Sequence, residues 1–363
     1  NDDGARHSGW LRYEDGFDST DYDELDYAYY WFNFDSNGKK RHDVVKKING
    51  QWYNFDEQGV MLTEWEGTTP GDEATGSRYF NDNLENGSLE KNAWIWASAP
   101  DSWIEQDSDY LDDSEHWFRT DNKGYVIADQ TKKINSKWYV FDEWGIMQYG
   151  LVFLDQDKVS GSKLTSVNDI ENKISRGIVD EDATEAADIY ASNGNLFYFS
   201  NNEETDGAMK TGSSITISLA DDDYVFGFEK TTGEAFCGVE NNKVYRNGIR
   251  QEADDDKYAI VIGGKGDTEA QYLVNSTGTR MKANKSYKND NDEYYVVLGG
   301  KTQSDADKTG YVIYPGIDAD GEYLYEPITN SKAASALAKS DCTTLEDAYD
   351  FLQDWATKNE EDF

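Results

Sequence analysis

The sequence predicts a mainly β protein of stacked β-hairpin repeats, a β-solenoid-like array with a short helical insert and a C-terminal capping helix. Three observations carry this prediction. The stretch 46–61 recurs without a gap at 132–147, so that Trp52 falls on Trp138, 86 residues further on. Within each copy a Trp stands seven residues before a Gly. Aromatic residues make up 14% of the chain against 37% for all hydrophobic residues, so the core must be built largely from rings.

The repeating unit has the pattern of a short β-hairpin. Residues 52–56 are strand-prone and lead into a polar turn that ends at Gly59, where glycine can adopt a positive φ. Alternation along the strand predicts that Tyr53 and Phe55 face the core and that Trp52 faces the opposite side. A single hairpin of this size is marginal in water, so we expect copies to stack and share a core. Four Trp–Gly pairs carry the unit: Trp31/Gly38, Trp52/Gly59, Trp117/Gly124 and Trp138/Gly145.

Other stretches follow the unit less closely. A degenerate copy is predicted at 78–87, and 93–115 is interpreted as a loop or a decorated hairpin. Residues 155–194 break the pattern, and apolar residues three to four apart there predict a helix. A capping box at Thr343 to Glu346 and an apolar stripe predict a final helix that covers an open end of the array. The predicted domains are an aromatic hairpin-repeat domain at 1–154, a helical insert or linker at 155–194, a divergent hairpin-repeat domain at 195–330 and the C-terminal helix at 331–363.

Charge and motifs exclude several classes of function. The net charge of −38 disfavours nucleic acid and anionic lipid; we interpret the acidic residues as a solubilising coat, with attraction of cations or calcium as the alternative. Two cysteines form no disulfide framework, and the three histidines have no zinc spacing. No apolar run is long enough to span a membrane. The chain starts at Asn1 without a signal peptide, as expected of a processed exported protein. No catalytic motif is present, which predicts a protein that is not an enzyme and needs no cofactor or metal.

The repeat also carries a resemblance. The pattern Asn-Gly-x-Trp-Tyr-x-Phe-Asp-x-x-Gly-x-Met-x-Thr-x-Trp at 49–65 resembles the cell-wall-binding repeat of Gram-positive surface proteins, which include choline-binding and glucan-binding modules and clostridial toxin repeats. The resemblance implies a secreted, non-catalytic β-solenoid at the cell surface, whose hairpins bind choline or sugars in aromatic pockets.

Aromatic residues are the candidate ligand contacts, because rings stack on sugars and attract quaternary ammonium groups. The predicted ligand-binding residues are Trp31, Trp52, Trp65, Trp117 and Trp138. The alternative is that these rings only pack repeat on repeat. The family has Tyr two residues after the repeat Trp, whereas this chain has Asn33, Asn54, Arg119 and Val140. A choline cage would therefore lack walls, and this favours a polysaccharide or other cell-wall polymer over choline as the ligand.

Two functions from different classes follow. The favoured one is an extracellular cell-surface protein that binds cell-wall or environmental polysaccharide through aromatic grooves. The alternative is a structural spacer or adhesin scaffold with a protein partner and no small ligand.

Overall fold

The computed structural model describes residues 6–14, 29–67, 76–154, 195–200, 207–219, 222–264, 270–298, 312–313, 327–342 and 344–363. Within these ranges the protein is mainly β, and its strand ladders form antiparallel sheets of two to five strands. The fold class predicted from the sequence is confirmed. The helical insert predicted within 155–194 lies outside the described residues.

The chain divides into two compact units. The described residues of the first unit run to Gly150 and include 199–200 and 207–208, and those of the second unit are 151–154, 195–198 and 209 onward. The domain limits derived from the sequence stay a prediction.

The first unit is a series of hairpins. Its sheets pair β1 with β2, β3 with β4 and β5, β6 with β7, β8 with β9, and β10 with β11. The elements are β1 Gly9–Tyr13, β2 Tyr30–Phe34, β3 Val44–Ile48, β4 Gln51–Phe55, β5 Met61–Leu62, β6 Glu64–Glu66, β7 Arg78–Phe80, β8 Trp94–Ser98, α1 Asp101–Ile104, β9 Glu115–Arg119, β10 Gln130–Ile134 and β11 Lys137–Phe141.

The second unit continues with more divergent hairpins and ends in helices. Its largest sheet has the strand order β14-β15-β18-β17-β16. The elements are β12 Leu151–Leu154, β13 Asn195–Tyr198, β14 Gly212–Leu219, β15 Asp222–Phe228, β16 Gly238–Glu240, β17 Lys243–Arg246, β18 Ile249–Arg250, β19 Tyr258–Gly263, β20 Ala270–Asn275, β21 Lys285–Lys288, β22 Tyr294–Val297, β23 Val312–Ile313, α2 Ser331–Leu337 and α3 Leu345–Asn359.

A carboxylate or amide at the end of a strand closes each repeat turn. Asp56 Oδ1 accepts a hydrogen bond from the backbone N–H of Val60 at 2.7 Å, and Asp142 Oδ1 does the same for Ile146 at 2.7 Å. In the second unit Asn275 Oδ1 accepts from the N–H of Thr279 at 2.9 Å. Such side-chain bonds to the following backbone are the local reason that Asp and Asn favour turns.

Within each compact unit, successive hairpins stack through their turn glycines. The residue two positions after one turn glycine lies against the next turn glycine, so closely that a Cβ on Gly87 would lie 2.3 Å from Met61 Cε. A side chain at Gly87 would displace the end of Met61, and the φ of +56° there also favours glycine. The contacts in the first unit are Lys40 on Gly59, Met61 on Gly87, Leu89 on Gly124, Val126 on Gly145 and Met147 on Gly207; those in the second are Met209 on Gly233, Ala235 on Gly248 and Arg250 on Gly278.

Residues 93–115 form a decorated hairpin, one of the two interpretations made from the sequence. Its strands are β8 and β9, and the connection between them contains α1. Helix α1 carries Trp103, which is 0% exposed and lies 4.9 Å from Trp65 and 5.9 Å from Trp144, centroid to centroid. The connection therefore adds an aromatic core to the first unit.

The predicted C-terminal helix is present at Leu345–Asn359, and a second, shorter helix, Ser331–Leu337, precedes it. Helix α2 is capped by Asn330, whose Oδ1 accepts from the N–H of Lys332 at 2.9 Å. Helix α3 is capped by Thr344, whose Oγ1 accepts from the N–H of Asp347 at 3.1 Å, so the cap lies one residue later than the predicted box. The stretch 331–338 is short and rich in small residues, so it has no long apolar stripe for a periodicity argument to find.

The helix pair covers the end of the second unit, as predicted for a cap. The buried side chains of Ala348 and Leu352 on α3 belong to one hydrophobic cluster with Leu337 on α2 and Val296 on β22. The apolar face of β22 is thereby covered by helices.

Candidate aromatic binding site

Three rings from three strands form a cage at the start of the first unit. Trp10 lies on β1, Trp31 on β2 and Tyr53 on β4. The centroid of Trp10 is 6.2 Å from that of Trp31 at an interplanar angle of 90°, and 4.8 Å from that of Tyr53 at 69°. The rings are therefore steeply inclined to one another and do not form a flat platform. We call this set the first cage.

The first cage opens into a cavity of 190 Å³. Met61 and the turn residues Leu84, Glu85 and Asn86 complete its lining. The close contact of Met61 with Gly87 brings this turn over the rings. The volume is smaller than the roughly 300–1,000 Å³ of sites for drug-sized ligands, so the cavity suits a small head group.

A charged cluster borders the cavity. Arg12 Nη1 donates to Glu85 Oε1 at 3.2 Å, and the Arg12 guanidinium lies 3.9 Å from the centroid of the Tyr29 ring. The hydrogen bond between Tyr29 and Glu85 raises the pKa of the Tyr29 phenol. Glu85 is thus held at the rim, with its side chain 52% exposed to solvent. Arg12 balances the charge of this carboxylate, so a cation in the cage is favoured by the ring faces and by the negative charge of the whole chain.

The duplication builds a second cage from Trp94 on β8, Trp117 on β9 and Tyr139 on β11. Trp94 lies 6.2 Å from Trp117 at 87° and 4.9 Å from Tyr139 at 64°. Each distance is within 0.1 Å of its counterpart in the first cage, and each angle is within 5°. The 86-residue repeat in sequence is therefore a repeat of ring geometry.

The structure separates the five predicted binding residues into three groups. Trp31 and Trp117 belong to the first and second cages. Trp52 and Trp138 lie outside both, and each is faced by a lysine of the chain, with Lys91 Nζ and Lys133 Nζ 5.8 Å from the respective ring centroids.

Trp65 belongs to the core of the decorated hairpin. Its indole Nε1 donates to the carbonyl of Ser98 at 2.8 Å, and its ring lies 5.0 Å from Tyr79 and 4.8 Å from Phe118. Its polar atom is satisfied by the backbone and its faces by other rings, so it does not line either cage.

Sequence reasoning missed four cage rings, Trp10, Trp94, Tyr53 and Tyr139. It assigned Tyr53 to the core, whereas this ring lines the cavity and only Phe55 is fully buried. A signal for Trp10 was present, because Trp10, Trp31 and Trp52 are spaced 21 residues apart. The missing Tyr two residues after each Trp does not leave the cage open, because Trp10 and Tyr53 supply walls from neighbouring strands.

The described part of the chain contains no group of three or more His, Cys, Asp or Glu residues that could hold a metal ion. None of its helices is long and apolar enough to cross a membrane.

No protein-family model matches this chain, and no curated protein sequence does. Similar solved structures include the modular autolysin LytC from Streptococcus pneumoniae in complex with a synthetic peptidoglycan ligand, at 17% identity over 74% of this chain and 49% of that chain, with a TM-score of 0.28. Choline binding protein F from the same organism is 17% identical over 76% of this chain and 86% of its own, with a TM-score of 0.29. An alternansucrase in complex with isomaltononaose is 16% identical over 81% of this chain and 16% of its own, with a TM-score of 0.25. The solved structures similar to this chain thus include choline-binding repeat proteins, and the chain spans about half the length of the autolysin.

Proposed function

We propose that this chain is a non-catalytic, extracellular binding module that attaches to a cell-wall polymer by receiving its quaternary ammonium groups in the first cage. The observation that carries the proposal is the arrangement of Trp10, Trp31 and Tyr53 around a cavity with a carboxylate at its rim.

Ring inclination supports a cation over a sugar face. A pyranose stacks on one broad ring face, whereas a trimethylammonium group can be contacted by rings from several sides. Here Trp31 is perpendicular to Trp10, and Tyr53 is inclined to it by 69°. Each cation–π contact contributes about 0.5–2 kcal/mol, so three rings support a Kd on the order of millimolar for the isolated head group. Tight attachment would then come from several groups on one polymer.

The test is titration of the full chain with choline, with tryptophan fluorescence and calorimetry as the readouts. The matched neutral compound is 3,3-dimethylbutan-1-ol, which has the same shape without the charge. We expect choline to bind at least tenfold more tightly, because the neutral compound lacks the attraction of the cation to the ring faces. Equal binding of the two compounds would overturn the proposal.

Variants locate the site. Trp10→Ala removes one ring and should weaken choline binding about 2- to 30-fold. Trp52→Ala is the control, since it removes the same side chain from a neighbouring hairpin outside the cage, and it should leave the Kd unchanged. Thermal melting of both variants verifies that they are folded. A chain that responds to neither choline nor an α-glucan would instead support the scaffold alternative.

A further inference from the structure

The two cages differ in the residue that faces their first tryptophan. In an antiparallel pair, directly opposed residues lie on the same face of the sheet. Trp10 on β1 is opposed by Asn33 on β2, and Trp94 on β8 is opposed by Arg119 on β9. The residue opposite the first tryptophan is thus neutral in the first cage and a permanent cation in the second. Arg12, which is opposite Trp31 in the first cage, forms an ion pair with Glu85.

The Arg119 guanidinium lies against the Trp94 ring of the second cage. Its central carbon is 5.6 Å from the centroid of Trp94, within the roughly 6 Å range of a cation–π contact. Burial lowers the pKa of Arg119, and Tyr139 acts on it in the opposite direction, so the side chain is partly withdrawn from water and close to a second cage ring. Arg119 forms no ion pair with any carboxylate in the ranges that the structure describes.

In the first copy the position equivalent to Arg119 is Asn33, and the arginine that contacts it, Arg41, does not line the cavity of the first cage. Arg41 corresponds to Ile127 in the duplication, and the backbone bonds match: Arg41 N–H donates to Asn33 O at 2.9 Å, as Ile127 N–H donates to Arg119 O at 2.8 Å. Arg41 Nε donates to Asn33 Oδ1 at 2.9 Å, and Asn33 is only 2% exposed. The Asn33 side chain is therefore held by Arg41 and does not occupy the cavity beside Trp10.

We propose that Arg119 is an internal cation that occupies the second cage, so that of the two cages in the described residues the first is open to external quaternary ammonium groups and the second is filled by the chain's own side chain. This inference rests on the proposed function and adds the number of open sites and the residue that sets it. It also predicts that Arg119→Asn, which copies the first cage, opens a second site.

Calorimetric stoichiometry with choline tests the inference. The unmodified chain should bind one equivalent and Arg119→Asn two. The double variant Trp10→Ala/Arg119→Asn should bind one equivalent, in the second cage. Adding Trp94→Ala to this double variant should abolish that binding. Arg119→Lys is the matched control, since it keeps a cation and should stay at one equivalent. Two equivalents for the unmodified chain, or none for folded Trp10→Ala/Arg119→Asn, would overturn the inference, and Arg119→Gln repeats the test if the Asn variant does not fold.

A measurement without ligand separates this inference from the proposed function. A double-mutant cycle on Arg119→Gln and Trp94→Ala should give a coupling of about 2- to 30-fold in the unfolding equilibrium constant, the range of one cation–π contact. Coupling together with no choline binding by the unmodified chain would overturn the proposed function and leave the internal contact standing. No coupling would overturn the internal contact, whatever choline does.

Discussion

The stacking of turn glycines predicts that two chemically identical substitutions have unequal costs. Gly145 and Gly50 both have positive φ values, +82° and +95°. A Cβ on Gly145 would lie 2.5 Å from Val126 Cγ1 and 3.3 Å from the carbonyl oxygen of Ile127, whereas a Cβ on Gly50 meets nothing within 4 Å. Both substitutions therefore strain the backbone, and Gly145→Ala also produces a clash between stacked hairpins.

The magnitudes follow from these two terms. A residue with a Cβ in the left-handed region costs about 1–2 kcal/mol, and this term is shared by both variants. Overpacking a rigid core adds about 1–3 kcal/mol, and Val126 is rigid because it is β-branched and 4% exposed. Gly145→Ala should thus lower the free energy of unfolding by about 2–5 kcal/mol, and Gly50→Ala by about 1–2 kcal/mol.

Urea denaturation followed by tryptophan fluorescence measures the difference. Of the 11 tryptophans only Trp355 lies beyond residue 150, so the signal reports on the first unit. In a Val126→Ala background the extra cost of Gly145→Ala should fall, because the clashing methyl is gone and only the 3.3 Å contact with the Ile127 carbonyl oxygen remains. Equal costs of the two glycine variants, within about 0.5 kcal/mol, would refute the stacking argument.

Three further predictions concern single side chains of the first unit. Trp103→Ala should cost about 3–5 kcal/mol of unfolding free energy in urea denaturation, since it empties the core of the decorated hairpin. Ser136→Gly should raise the melting temperature, because Ser136 has a φ of +71° and glycine relieves about 1 kcal/mol of strain; no rise would argue against that strain. Hydrogen bonds from the backbone N–H groups of Lys39 and then Asn37 lower the pKa of the Asp35 carboxyl. The stabilisation of the fold by these bonds is therefore present above the unfolded pKa of about 3.8 and is lost as the pH falls through the lower folded pKa. Asp35→Asn should therefore reduce the loss of melting temperature between pH 5 and pH 3, whereas the exposed control Glu57→Gln should not.

The repeat architecture could be predicted from the sequence because its signals are local. The Trp–Gly spacing and the turn aspartates act within one hairpin, and the 86-residue register repeats the same local pattern. Asp56 and Asp142 cap their turns as that pattern requires. The terminal helix was also within reach, because its stripe repeats every three to four residues.

The cages could not be predicted in the same way, because each combines two paired strands with a strand of another hairpin. Alternation tells which residues share a face of a strand, but not which face meets a neighbouring unit. Tyr53 and Phe55 share a face, yet one lines a cavity and the other is buried. Trp52 and Trp31 occupy equivalent places in their hairpins, yet only Trp31 meets Trp10, because β1 pairs with β2.

The contact of each turn glycine with the hairpin immediately before it has a mechanical consequence. Within the first unit these contacts link nearest neighbours in series, from Lys40 on Gly59 to Met147 on Gly207. In a chain held in this way, a pulling force applied at one end is expected to separate the hairpins one after another, while the hairpins further along stay packed. A chain of this design would lengthen stepwise under a pulling force and would absorb work at each step.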